Sequence, residues 1–205
     1  MEKIQSAIAK ARAIRSGEPE ASSGPNPIAG MPGSAPMMPQ RSPGASNSAQ
    51  IEAAWTALPT FSPNAAQMAR HRIVAFEGGR EAVTFDVMRT RLLQQMRANN
   101  WRRLAITSPG AGCGKSMITL NLGFSLARQA DLRTVVAELD LRRPSLAKTL
   151  AIREPHSFAS VLEGAAKFES NALRYGQNLA FATNQNAFRN PAELMHSPNV
   201  APVLA

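Results

Sequence analysis

The residues that most constrain this chain are Ser108-Pro109-Gly110-Ala111-Gly112-Cys113-Gly114-Lys115-Ser116. They follow Leu104-Ala105-Ile106-Thr107, an apolar run of strand length, and they open a segment from Lys115 to about Gln129 in which Met117, Leu120, Phe124 and Ala127 recur at helical spacing. Strand, glycine-rich turn and helix in that order are the setting of a phosphate-binding loop. Glycines let consecutive N–H groups turn inward around phosphate oxygens. The helix N-terminus adds partial positive charge and unpaired donors. Lys115 has the reach for β- and γ-phosphates, and the Ser116 hydroxyl is of the kind that ligates Mg²⁺. The match to the strict G-x-x-x-x-G-K-[ST] pattern is imperfect, because Pro109 stands where the first glycine falls and Gly110 comes one place later. The competing reading is a glycine-rich turn with a coincidental Gly-Lys-Ser; the flanking strand and helix favour nucleotide binding. The candidate contacts are Gly110, Gly112, Cys113, Gly114, Lys115, Ser116 and Met117. Cys113 reads as a small loop residue facing away from the phosphates, the alternative being a thiol activated by the helix N-terminus.

A second chemical signal lies at Glu138-Leu139-Asp140-Leu141-Arg142-Arg143-Pro144, the carboxyl end of a β-branched run, Thr134–Leu139. In an open parallel sheet, ligands gather at the carboxyl ends of strands. Glu138 and Asp140 are two apart, so on a strand they share one face, and that face can look toward the Mg²⁺ of the loop. A carboxylate there can hold the metal through water or take a proton from an attacking hydroxyl. Arg142 and Arg143 can neutralise phosphate charge. The bland reading is a strand end capped by solvated charges.

Around these signals the chain divides into three parts. Residues 1–16 read as an amphipathic helix, with Ile4, Ile8 and Ala11 on one face and Lys3, Lys10, Arg12 and Arg15 around it. Either a frayed surface helix or a docking segment for a partner or an anionic membrane surface fits that pattern. Residues 17–66 read as a disordered Pro/Gly/Ser-rich linker, densest in proline up to about Gln50, with too little apolar area to offset its ordering entropy. Trp55 and Phe61 are expected to dock on the domain or on a partner, and residues 70–76 to enter it as an extended arm. Residues 67–205 read as a partial nucleotide-binding domain of α/β class. It contains a helix over 80–98 on the spacing of Phe85, Met88, Leu92 and Met96, and strands at 104–107, 134–139 and, more weakly, 179–183. Strand–helix–strand alternation predicts a parallel sheet with helices on its faces.

Charge and composition close off other classes. Lys+Arg 23 against Asp+Glu 14 leaves +9 at pH 7. Basic residues cluster between Arg70 and Arg103, yet without interleaved aromatics or a nucleic-acid motif, so a solvated basic face is the better reading and no specific nucleic-acid partner is expected. One cysteine makes no disulfide framework, which favours a reducing, cytoplasmic setting. No apolar run approaches the ~20 residues of a membrane span, and the polar N-terminus lacks the apolar core of a secretory signal.

Loop and acidic strand together resemble the bacterial tyrosine kinases of capsule and exopolysaccharide loci. Their first loop is similar to Thr107-Ser108-Pro109 through Gly112-Cys113-Gly114-Lys115-Ser116, including the absent early glycine. Their second nucleotide motif, an apolar strand followed by Asp-x-Asp-x-Arg, is similar to Val135 through Arg142, with Glu138 at the first acidic position. Glu2-Lys3-Ile4-Gln5 through Lys10-Ala11-Arg12 resembles the start of the soluble members, and Asn190-Pro191-Ala192-Glu193-Leu194 a family stretch after the third strand. The resemblance implies an ATP- and Mg²⁺-dependent protein-tyrosine kinase with a P-loop fold that regulates polysaccharide polymerisation and export. Lys115 and Ser116 would hold phosphates and metal. Asp140 would be the base or metal partner, Glu138 a further metal ligand and Arg142 a nucleotide contact. It also implies an inner-membrane chain-length (co-polymerase) protein as activator, recruitment of a cytoplasmic protein to that membrane, and a homo-oligomer.

The chain departs from the family pattern in several places. The family carries a further apolar strand ending in Asp after the Asn-Pro-Ala-Glu-Leu stretch, whereas the sequence stops at Ala205. The expectation is therefore a C-terminally truncated product with one open sheet edge, weak ATP binding and slow turnover. The family's C-terminal tyrosine cluster is absent, and Tyr175, the one tyrosine, reads as a packing residue. In the family's subunit-contact motif Glu-x-x-Arg-x-x-Arg, Arg89 would be the last arginine, with Asp86 and Val83 replacing the others. Two alternatives stand beside the kinase. A partitioning or positioning ATPase of the same fold would carry a second lysine at the place of Gly110. A non-catalytic nucleotide-binding regulator of polysaccharide export would bind without transferring phosphate. A eukaryotic-type kinase is excluded, since neither His-Arg-Asp nor Asp-Phe-Gly occurs.

Overall fold

The structure, a computed structural model, describes residues 43–204. The expected helix over 1–16 and the linker as far as residue 42 lie outside the described residues. The linker expected to run to residue 66 ends earlier. Pro43–Ala57 is a helix, α1, with proline at a first-turn position where its missing N–H costs nothing. Trp55 Nε1 donates to the carbonyl of Gln177 at 2.7 Å, the Arg133 guanidinium lies 5.5 Å over the indole, and Arg133 is ion-paired with Glu52. Beyond it Leu58 is buried, and Thr60 makes a parallel bridge to Arg174. Phe61 meets Phe181 edge to face at 6.3 Å. Trp55 and Phe61 thus dock on the domain itself. Proline and serine content hid this, because a few apolar anchors suffice to hold the segment down.

The expected arm at 70–76 is folded rather than extended. Helix α2 (Ala65–Arg70) is capped by the Asn64 side chain, which accepts from Gln67 N at 3.0 Å. The chain then turns through Arg72 at φ 59°, and Ile73 and Ala75 are buried. Asn121, fully buried, holds this turn: its carbonyl accepts from Ala75 N, and its amide donates to the carbonyls of Arg72 and Met117, all at 2.9 Å.

Helix α3 (Val83–Ala98), preceded by a 3₁₀ turn at Arg80–Ala82, realises the expected helix over 80–98. None of its residues is fully buried; Phe85, Met88, Leu92 and Met96 are half-buried along one side. Helix α4 (Lys115–Ala127) carries the expected apolar face, with Leu120 and Phe124 buried and Met117 and Ala127 packed on the same cluster. Gly123 allows a close crossing of α4 over the first strand, where a Cβ would stand 3.1 Å from Val136 Cγ2.

The sheet differs from expectation. It contains β1 (Thr134–Ala137), β2 (Ala172–Tyr175) and β3 (Leu179–Ala182) in the order β1-β3-β2. β1 runs parallel to β3 while β2 runs antiparallel to it, so the sheet is mixed. Leu104–Thr107 forms no strand; Leu104 is 46% exposed, and nearby Trp101 59%. An apolar run becomes a strand only where a neighbour completes its ladder, and among the described residues β1 pairs with β3 alone.

Alternation along β3 divides the core. Leu179 and Phe181 enter a cluster with Phe124, Leu120, Val136, Met68 and Ile73 beneath α4. Ala180 and Ala182 face the opposite cluster of Phe158, Leu162, Leu141 and Leu58. Helices α5 (Leu146–Leu150), α6 (Phe158–Leu162), α7 (Pro191–Met195) and α8 (Val200–Leu204) complete the described chain. Tyr175 packs edge-on to Phe124 at 5.1 Å and against Phe76 at 5.9 Å, as expected of a packing residue.

Candidate functional site

The glycine-rich turn is exposed and leads directly into α4. Gly112 (φ 78°) and Gly114 (φ 81°) lie in the left-handed region, which explains why glycine occupies both. A Cβ at Gly110 or Gly112 would meet nothing within 4 Å, so conformation rather than space selects glycine at Gly112. Ser108 Oγ donates to the carbonyl of Gly110 at 2.8 Å and braces the turn. Cys113 is exposed, its thiol 3.9 Å from the carbonyl of Ala111. Met117 is half-buried, packed against the core cluster beneath α4, with its Cε 3.8 Å from where a Cβ on Gly114 would stand.

Lys115, the first residue of α4, is ion-paired through Nζ with Asp140 Oδ2. The other carboxylate oxygen, Oδ1, accepts from Arg143 N at 3.1 Å. The hydrogen bond from Lys115, with the Arg143 amide and the nearby positive charges, holds the Asp140 carboxyl below the ordinary aspartate range against a smaller opposing effect of burial. The structure therefore brings together the lysine and the acidic residue that the sequence singled out. Arg142 and Arg143 are exposed.

Glu138 does not share that site. β1 ends at Ala137, so the two-residue alternation of a strand does not carry through to Asp140. Glu138 is 4% exposed. Its Oε1 accepts from Ser145 N at 2.6 Å and Leu146 N at 2.9 Å, and its Oε2 from Asn184 N at 2.9 Å. The Asn184 side chain returns a bond to the Glu138 carbonyl at 3.1 Å. Burial pushes the Glu138 carboxyl above the ordinary glutamate range, and the three amides pull it partly back. The side chain expected as a metal ligand instead joins the end of β1 to the start of α5 and to the segment after β3.

One residue went unnoticed in the sequence. Ser145 Oγ lies 2.7 Å from Ser116 Oγ, on the hydroxyl expected to meet the metal. The available signal was a serine directly before a helix, an N-cap position. Arg89 is also accounted for within the fold: it donates to Ser125 O at 2.8 Å and Oγ at 3.2 Å and pairs with Asp86 at 3.3 Å.

Among the described residues no three His, Cys, Asp or Glu side chains gather as a metal cage. One hydroxyl and one carboxylate beside a glycine-rich turn is nevertheless a donor set that suits Mg²⁺, which prefers few protein oxygens and takes the remainder from phosphate and water.

No protein-family model matches the chain, and no curated protein sequence matches it. Solved structures do. The BceF tyrosine kinase domain superposes with a TM-score of 0.54 at 22% identity, covering 76% of this chain and 69% of that one. The chimerical protein CapA2B2 superposes with a TM-score of 0.53 at 20% identity, covering 76% of this chain and 67% of that one. The chain has a bacterial tyrosine kinase-like fold.

Proposed function

We propose that residues Gly110–Ser116 bind the triphosphate of Mg²⁺·ATP and that the domain is an ATP-dependent protein-tyrosine kinase. The observation that carries this reading is the pairing of Lys115 with Asp140 at the start of α4, directly behind a turn with two left-handed glycines. A triphosphate entering the turn offers Lys115 a stronger anionic partner than one carboxylate. Lys115 then moves to the phosphates, and Asp140 is released. Ser116 and Asp140 would hold Mg²⁺, which when bound neutralises charge on the phosphates. In transfer, Asp140 accepts the phenolic proton of a tyrosine, the phenolate oxygen bonds to the γ-phosphorus, and the bond from that phosphorus to the β-phosphate bridging oxygen breaks, releasing ADP. Arg142, two residues from Asp140, is exposed and would meet phosphate oxygens.

The resemblance extends the proposal to regulation of capsule or exopolysaccharide polymerisation and export. An inner-membrane chain-length protein would be the activator, self-association between copies is part of the same reading, and the setting is cytoplasmic. No described helix is long and apolar enough to cross a membrane. The test is transfer of labelled γ-phosphate to tyrosine on a peptide or on the polysaccharide-assembly proteins. Transfer that falls about 100-fold or more in Lys115→Ala supports the kinase. Binding of ATP without any transfer, activator present, would favour a non-catalytic regulator.

A further inference from the structure

We infer that Ser145 is a positioning residue for the metal: its Oγ accepts the hydrogen bond of the Ser116 hydroxyl and so turns the lone pairs of that hydroxyl toward Mg²⁺. This rests on the nucleotide-binding reading above. A serine hydroxyl has one proton and two lone pairs. When its oxygen serves a cation, its proton must point away and find an acceptor. Ser145 Oγ, at 2.7 Å, is an acceptor in place.

The local structure explains why this hydroxyl is available. Ser145 occupies the N-cap position of α5, where a serine side chain ordinarily accepts from the N–H groups of the first turn. Ser145 makes no such bond. Glu138 serves the helix start in another way, its Oε1 accepting from the N–H groups of the cap residue Ser145 and of Leu146. The Ser145 carbonyl is fixed as well, accepting from Thr149 N at 2.9 Å and Thr149 Oγ1 at 2.8 Å. With its main chain held on both sides, Ser145 presents its hydroxyl to Ser116, its one side-chain partner among the described residues. An outer hydrogen bond of this kind orients a metal ligand, and its loss typically weakens metal binding about ten- to hundred-fold.

The test is calorimetric titration of the full chain with ATP, once with Mg²⁺ and once with EDTA. In Ser145→Ala the gain in affinity that Mg²⁺ confers falls about ten- to hundred-fold, while affinity in EDTA matches wild type. Ser145→Thr, which keeps the hydroxyl, restores the gain. An undiminished gain in Ser145→Ala, or an equal loss in both titrations, overturns the inference. Wild type that binds ATP equally with and without Mg²⁺ overturns it too, yet leaves the phosphate turn standing. Wild type that binds no ATP in either titration removes the nucleotide-binding reading itself.

Discussion

Lys115 and Asp140 satisfy each other across the candidate site, so each must be released before it can serve a nucleotide. Asp140→Asn removes a competing anion from Lys115. It should tighten metal-free ATP binding several-fold, in keeping with the roughly 1 kcal/mol or less of a partly exposed pair, while reducing the benefit of Mg²⁺. Titrations with and without metal check both signs. Glu138 supplies a pH dependence of its own. Its carboxyl is raised above 4.5, so the folded chain holds that proton more firmly than the unfolded one. Its stabilising contribution is complete below that value and is lost as pH rises through the folded pKa. Asp140 has the opposite sign, stabilising above 3.8 and losing its contribution as pH falls through its lowered value. Urea midpoints should therefore decline as pH is raised from 4.5 toward neutrality, and the decline should flatten in Glu138→Gln. Glu138→Ala, which strands three amides, should cost at least about 2 kcal/mol at any pH. The glycine-rich turn leading into α4 was legible in sequence because its conformation is set locally by Gly112 and Gly114. The true duty of Glu138 was not, because it depends on β1 stopping at Ala137 and on α5 and Asn184 arriving there from elsewhere in the chain.

Among the elements, α3 and α4 were readable from periodicity, since a helix meets its own hydrogen-bonding needs and shows its buried face in the spacing of residues such as Leu120 and Phe124. Strands were not, because pairing is decided by distant residues. Leu104–Thr107 has the composition of a strand and pairs with no strand among the described residues. Ala172–Tyr175, with an arginine in four residues, is a strand because Leu179–Ala182 lies beside it. Helix α1 was hidden by the proline-rich composition around it, although its anchor was visible as Trp55. Trp55→Ala should cost about 1–3 kcal/mol and expose residues 43–58 to proteolysis, as limited digestion followed by mass spectrometry would show. Gly123→Ala sets a helix-propensity gain of about 1 kcal/mol against a Cβ 3.1 Å from Val136 in a packed layer. The crowding should prevail, with a net loss of about 1 kcal/mol in urea unfolding.

Among the described residues the sheet is covered on both faces but paired on only one side of β1. Val135, on that strand, is 45% exposed, with Leu139 following at 40%. An unpaired apolar edge favours association of strands between molecules. Val135→Lys should reduce self-association seen by light scattering, without altering nucleotide affinity. The fold aligns the glycine-rich turn, the start of α4 and the segment after β1 so that Lys115 meets Asp140 and Ser116 meets Ser145. The most direct test of that arrangement is calorimetric titration of the full chain with Mg²⁺·ATP beside Lys115→Ala. Saturable heat at one site per chain in wild type, lost in the variant, is the predicted result. A folded wild type that gives no heat, or a variant that binds as well as wild type, would contradict it.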